Sequence, residues 1–205
     1  MHRSKRMQVQ NKRSAPVITL TMCAALLALF CLPESAHTAL VFDRMRLEAG
    51  YWYVLVSGHW MHIGWEHLLW NVSALAVMGT LLEQQSRSLL LSSVLAGTIA
   101  VNLLLLLDPS IPVRYCGLSG VLNTLMGAIL YTLWRSTQSF VVIFIAGLWL
   151  AKIAIEVFLG DSLLTSTEWP PLATAHLAGA LGLPLALVIN RSITRNHYEH
   201  LVPSE

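Results

Sequence analysis

Six apolar stretches, at roughly 16–33, 67–82, 88–107, 117–134, 139–159 and 172–190, occupy most of this 205-residue chain. Each approaches the ~20 residues that a helix needs to cross ~30 Å of hydrocarbon. Composition agrees, with 55% apolar and only 12% charged residues, where soluble domains carry about 25%. The expected fold is an all-α membrane protein, a single bundle of six transmembrane helices over residues 16–190. A basic tail, 1–15, precedes it and a short tail, 191–205, follows.

The first stretch also has the character of a signal peptide: a basic leader, an apolar core, then the small and polar residues Pro33 to Ala39. No small-x-small cleavage site follows the core, so it is read as a retained helix. Cleavage would leave five spans and the polar residues discussed below untouched. Orientation follows from the positive-inside rule. Arg3, Lys5, Arg6, Lys12, Arg13, Arg87, Arg135, Arg191 and Arg195 fall on one side; the other holds Arg44, Arg46 and Arg114 among seven acids. Both termini are therefore expected in the cytoplasm. The basic tail could instead suggest anionic-lipid or nucleic-acid binding, but as a topology signal it needs no partner; no nucleic acid is expected, and the protein as a whole sits in the lipid bilayer.

Inside these spans lie polar residues that hydrocarbon cannot satisfy: His67 with Asn71, the run Gly117-Leu118-Ser119-Gly120, and His176. The second, fourth and sixth spans run the same way, so Asn71, Ser119 and His176, each near the start of its span, fall within about 10 Å of the outer boundary at 1.5 Å rise per residue. Residues more than a hundred positions apart converge at one depth. A hydrolytic site needs this, because water must reach a centre still enclosed by protein.

The chemistry reads in parts. Ser119 lies between Gly117 and Gly120 at a helix start, where orphan N–H groups point at developing negative charge. A serine hydroxyl becomes a useful nucleophile when a base takes its proton, and His176 is the only histidine in the last three spans. His67 and Asn71, one helical turn apart, share a direction from which both could donate to an oxyanion. Each piece has a bland alternative. Small-xx-small patterns in membrane helices usually serve close packing, and a lone histidine or asparagine usually links helices. Their joint occurrence at one depth favours chemistry.

These residues resemble the rhomboid intramembrane serine proteases. His62-Ile63-Gly64-Trp65-Glu66-His67-Leu68-Leu69-Trp70-Asn71 is similar to that family's His-x4-His-x3-Asn entry to its second helix. Gly117 to Gly120 matches its GxSG motif, and Ala175-His176-Leu177-Ala178-Gly179 its sixth helix. The resemblance covers roughly residues 50–190, with the motifs in order. It implies a rhomboid-like bundle, Ser119 as nucleophile, His176 as base in a dyad without an acidic third member, and an oxyanion site from His67, Asn71 and the Ser119 N–H beside Gly117. No metal or organic cofactor is implied.

Tyr115 to Asn123 and the compact chain further resemble the rhombosortase subfamily of Gram-negative bacteria. That resemblance implies cleavage of single-span exported proteins at a tail of Gly-Gly, a membrane helix and a basic cluster, near the outer face of the inner membrane. The chain departs from the family in two places. Many members place a tyrosine four residues after the nucleophile, where this chain has Asn123. Many continue the sixth helix as His-x2-Gly-x3-Gly, where Leu183 fills the last position and close helix contact falls to Gly179 and Gly182.

Other residues take plainer readings. Lys152 and Glu156, four apart in the fifth span, form an interior pair, with a proton relay as the alternative. Glu83 ties down a cytoplasmic turn. Trp52, Trp60, Trp65 and Trp169 are outer interfacial anchors and Trp134 an inner one. Cys23, Cys31 and Cys116 imply no disulfide, and 161–171 is either a cap over the site or a plain connection. A zinc protease would need HExxH, and an aspartyl protease two membrane aspartates; neither pattern is present. A catalytically inactive rhomboid-like helix binder and a small transporter remain the rivals, though no internal repeat supports the transporter.

Overall fold

The computed structural model describes residues 14–108, 114–163 and 172–201, with side chains to 195. The basic residues before position 14, and Glu168 and Trp169, lie outside the described residues. The described chain is mostly helical: α1 (Val17–Phe30), α2 (Glu34–Leu40), α3 (Arg44–Glu48), α4 (Val54–Ser57), α5 (Trp65–Gln85), α6 (Arg87–Leu107), α7 (Ser119–Thr137), α8 (Phe140–Leu159), α9 (Ala173–Leu181) and α10 (Leu183–Leu201). A short antiparallel pair, β1 (Phe42–Asp43) with β2 (Arg114–Tyr115), joins Phe42 to Tyr115 and Asp43 to Arg114.

Among the described residues, three helical stretches are long and apolar enough to cross a membrane: α6, α8, and α9 running into α10 as Ala173–Arg195. This is fewer than the expected six, and the reason is visible in the residues. Helices α5 and α7 have the length, at 21 and 19 residues, but His67, Asn71 and Glu83 on one and Ser119, Asn123 and Thr124 on the other dilute their apolar character. Helix α1, at 14 residues, is short for the hydrocarbon thickness.

Local chemistry sets the helix ends. Ser86 and Ser139 cap α6 and α8 by accepting from the backbone N–H groups of Leu89 and Val141. Gly160 stops α8 in the left-handed conformation that glycine adopts without steric cost. Glu83, buried near the end of α5, does more than hold a turn. Its carboxylate accepts from the N–H groups of Ile18 and Thr19 and from the Thr19 hydroxyl, so it serves as the missing cap for the first turn of α1.

Helix α7 lies at the centre, packed against α5, α6, α8, α9 and α10. Leu75, Leu82, Leu90, Val121, Leu122 and Leu125 fill the seam among α5, α6 and α7. A second cluster joins Phe42 and Tyr115 of the β pair to Val54, Val101, Leu105 and Ala175. Helix α1 packs on α5 at one flank. Helix α8 buries only Val142, Ile153 and Glu156 and leaves Phe140, Phe144 and Phe158 exposed. An apolar helix surface this bare suits lipid, where exposed phenylalanine costs nothing.

Candidate active site

Three elements bring the site together. The β1–β2 pair holds Tyr115, whose hydroxyl donates to the Gly117 carbonyl at 2.9 Å, while the Gly117 N–H donates to the Gly58 carbonyl at 3.1 Å. Gly117 turns the chain with φ +112°, a conformation that L side chains rarely adopt. Helix α7 then begins at Ser119, so its first-turn N–H groups have no partner in the preceding turn.

Helix α9 meets α7 face to face. A Cβ on Gly179 would collide with the Gly120 carbonyl, and one on Gly120 would lie 3.0 Å from the Ala175 carbonyl. The Thr124 hydroxyl donates to the Gly179 carbonyl at 2.5 Å and fastens the crossing. Close contact at Gly179 and Gly182 is present as expected: Gly179 faces Gly120, and Gly182 faces the Thr124 hydroxyl on α7 and the Ala96 carbonyl on α6.

This contact sets Ser119 Oγ 3.0 Å from His176 Nε2. On the far side of the ring, His176 Nδ1 lies 2.8 Å from Glu156 Oε2. An ionised carboxylate only accepts, so Nδ1 carries the proton and Nε2 accepts from the Ser119 hydroxyl. Glu156 is fully buried. Its other oxygen, Oε1, accepts from Lys152 Nζ at 2.6 Å and from the Leu163 N–H at 3.1 Å. The Lys152–Glu156 pair expected from its spacing is present, but the contact of Glu156 with His176 was missed. Spacing along α8 reveals the lysine partner; the histidine partner comes from another helix.

His67 packs over the nucleophile turn. A Cβ on Gly117 would come within 2.6 Å of His67 Cε1 and Nε2, so only glycine admits the ring there. The His62 ring stacks edge-on against it with centroids 4.9 Å apart. Asn71 is buried, and its Nδ2 donates to the His67 carbonyl one turn back at 2.8 Å. An amide nitrogen carries two N–H groups, so that bond uses one of them. The structure thus brings Gly117, Ser119, His67 and His176 into one cluster, with Asn71 on the turn below His67.

Asn123, in the place of the family's tyrosine, does not hold the histidine. Its Nδ2 donates to the Ser119 carbonyl at 2.9 Å and its Oδ1 accepts from Trp149 Nε1 at 2.8 Å, joining α7 to α8. Cys116, beside the motif, is a free thiol that burial pushes up to about 12, which keeps it protonated and unreactive at neutral pH. Beside Tyr115, burial drives the His59 imidazole down to about 4. Uncharged, its ring shares a 3.0 Å hydrogen bond with Asn102 Oδ1, while Asn102 Nδ2 donates to the Leu55 carbonyl. That pair pins the segment before α5 to α6.

The arrangement has the parts of acyl-transfer chemistry: a hydroxyl, a base with its lone pair toward it, a carboxylate behind the base, and helix N–H groups beside the hydroxyl. Residues 49–191, which contain all of these groups, match the protein-family profile described as Rhomboid domain. No individual curated protein matches the chain.

Proposed function

The chain belongs to the rhomboid family, and from that premise we propose that it is an active intramembrane serine endopeptidase with six spans, in which Ser119 and His176 carry the chemistry. The observation behind this reading is the 3.0 Å approach of Ser119 Oγ to His176 Nε2. Ser119 Oγ attacks the scissile carbonyl carbon as its proton passes to His176 Nε2. The oxyanion forms beside the first-turn N–H of α7, His67 and Asn71. The C–N bond breaks as His176 returns the proton to the departing amine, and an acyl-enzyme remains. Water, deprotonated by the same histidine, releases the new C-terminus.

Substrates are single-span membrane-anchored proteins. The Tyr115 to Asn123 segment supports the narrower reading that these carry the Gly-Gly, helix and basic-cluster tail, cut near the periplasmic face of a bacterial inner membrane with both termini cytoplasmic.

A secreted reporter ending in Gly-Gly, an apolar helix and a basic cluster, co-expressed with wild type or with equally abundant Ser119→Ala or His176→Ala, tests the proposal by intact mass. Wild type should shorten the reporter to one new C-terminus, and both variants should leave it whole. Turnover by either variant would remove that residue from the mechanism. An intact tail reporter alongside cleavage of other single-span substrates would retain the protease and discard the tail class. No cleavage of any substrate would favour an inactive helix binder.

A further inference from the structure

We propose that Glu156 is the third member of a Ser119–His176–Glu156 triad, a positioning residue that fixes the tautomer of His176 and stabilises the imidazolium formed during acyl transfer, and that Lys152 holds this carboxylate charged in the protein interior. The inference rests on the serine protease reading above and adds a group that the dyad expectation excludes.

Geometry argues for it first. Serine, histidine and glutamate lie in a chain of two hydrogen bonds, 3.0 Å from Oγ to Nε2 and 2.8 Å from Nδ1 to Oε2. The second bond decides which ring nitrogen is protonated. Were the proton on Nε2, the ring would present a donor to Ser119 and could not accept its proton. Because Glu156 offers only acceptors, it selects the productive tautomer before any substrate arrives. When the Ser119 proton moves to Nε2, the ring becomes a cation with a buried carboxylate 2.8 Å away, where such an attraction is less screened than in solvent. Glu156 takes up no proton in either step.

Burial argues for it second. A carboxylate with no exposed surface is costly unless its oxygens are satisfied. Here the two oxygens divide the work. Among the described residues, Oε1 takes the Lys152 ammonium, the Leu163 N–H and the Ser162 hydroxyl, and Oε2 takes the histidine. If Glu156 served only to tie α8 to the segment after it, Oε1 would suffice, and Oε2 would have no reason to face the catalytic ring. Lys152, partly exposed, completes the pair from one turn back on α8. The Asn123 departure fits the same picture: no aromatic residue at that position braces the histidine, and a hydrogen bond from behind orients it instead.

The test uses full-length protein in detergent and a fluorophosphonate that labels the activated serine, followed by cleavage rates per labelled site. Wild type should label and Ser119→Ala should not; failure of wild type to label would overturn the protease reading itself. Given labelling, Glu156→Gln should slow the labelling rate constant and kcat on the order of 10²- to 10⁴-fold with KM little changed. Glu156→Asp, which keeps the charge on a shorter arm, should recover part of that loss. Lys152→Met, which removes the ammonium but leaves the carboxylate facing His176, should fall between wild type and Glu156→Gln. A merely structural Glu156 would lower the number of labelled sites and leave the rate per site unchanged, and that result would overturn the triad. If Glu156→Gln yields no folded protein, the Glu156→Asp and Lys152→Met rates per labelled site decide alone, with wild-type values in both overturning it.

Discussion

At the scale of single residues, the site depends on what each side chain does with its second polar atom. His176 uses one nitrogen for the nucleophile and the other for a carboxylate; Glu156 divides its oxygens between a histidine and a lysine. Asn71 spends one amide N–H on the His67 carbonyl, which leaves the second for the proposed oxyanion. Asn71→Ala should therefore fold and retain residual cleavage, with kcat reduced on the order of 10²- to 10³-fold, the usual loss for one oxyanion donor. Wild-type kcat in a steady-state assay would assign Asn71 to helix geometry alone. The gathering of Ser119, His176, Gly117 and His67 in one cluster was legible from their motifs. The role of Glu156 was not, because a local i, i+4 partner explained it and nothing along the chain points to a second partner twenty residues away.

At the scale of elements, backbone proximity matters more than side-chain packing. Helices α7 and α9 approach so closely at Gly120 and Gly179 that no side chain fits between them. Gly179→Ala should force the two helices apart, separate Ser119 from His176, and cost roughly 1–3 kcal/mol or more, as overpacking does. Thermal denaturation should show a lowered midpoint, and cleavage should fall further than the stability loss alone explains. The segment between α4 and α5 makes a different prediction. His59 titrates near 6.5 when unfolded but is pushed down to about 4 in the fold by burial. Between those values the unfolded chain holds the proton and the folded one does not. Stability from this group is therefore complete above about pH 6.5 and declines as pH falls toward 4. Melting curves from pH 8 to 4 should show that decline, and His59→Gln should make it shallower; an unchanged slope would mean that the ring is hydrated in the folded protein. The helix interruption at Gly182 went unread, since the apolar stretch continues through it without a change in character.

At the scale of the whole molecule, α7, which carries Ser119, is surrounded by other helices, and α8 stands at the margin with most of its surface bare. If six spans are formed, both termini lie on one side of the membrane. Reporter fusions at residue 1 and residue 205 should then both report the cytoplasm, and opposite sides would require an odd number of spans. Hydropathy alone determined that the chain is helical and built for a bilayer, because a run of apolar residues near 20 has few other stable homes. Motif spacing pointed to Ser119 and His176 as the proposed nucleophile and base and to a shared depth for them, because helical rise is a constant that turns position into height. Only the tertiary structure decided how the histidine is held, what caps α1, and which glycines touch. Those depend on contacts between helices distant in sequence, and the rotation of one helix about its axis relative to another is set by packing that no single span records.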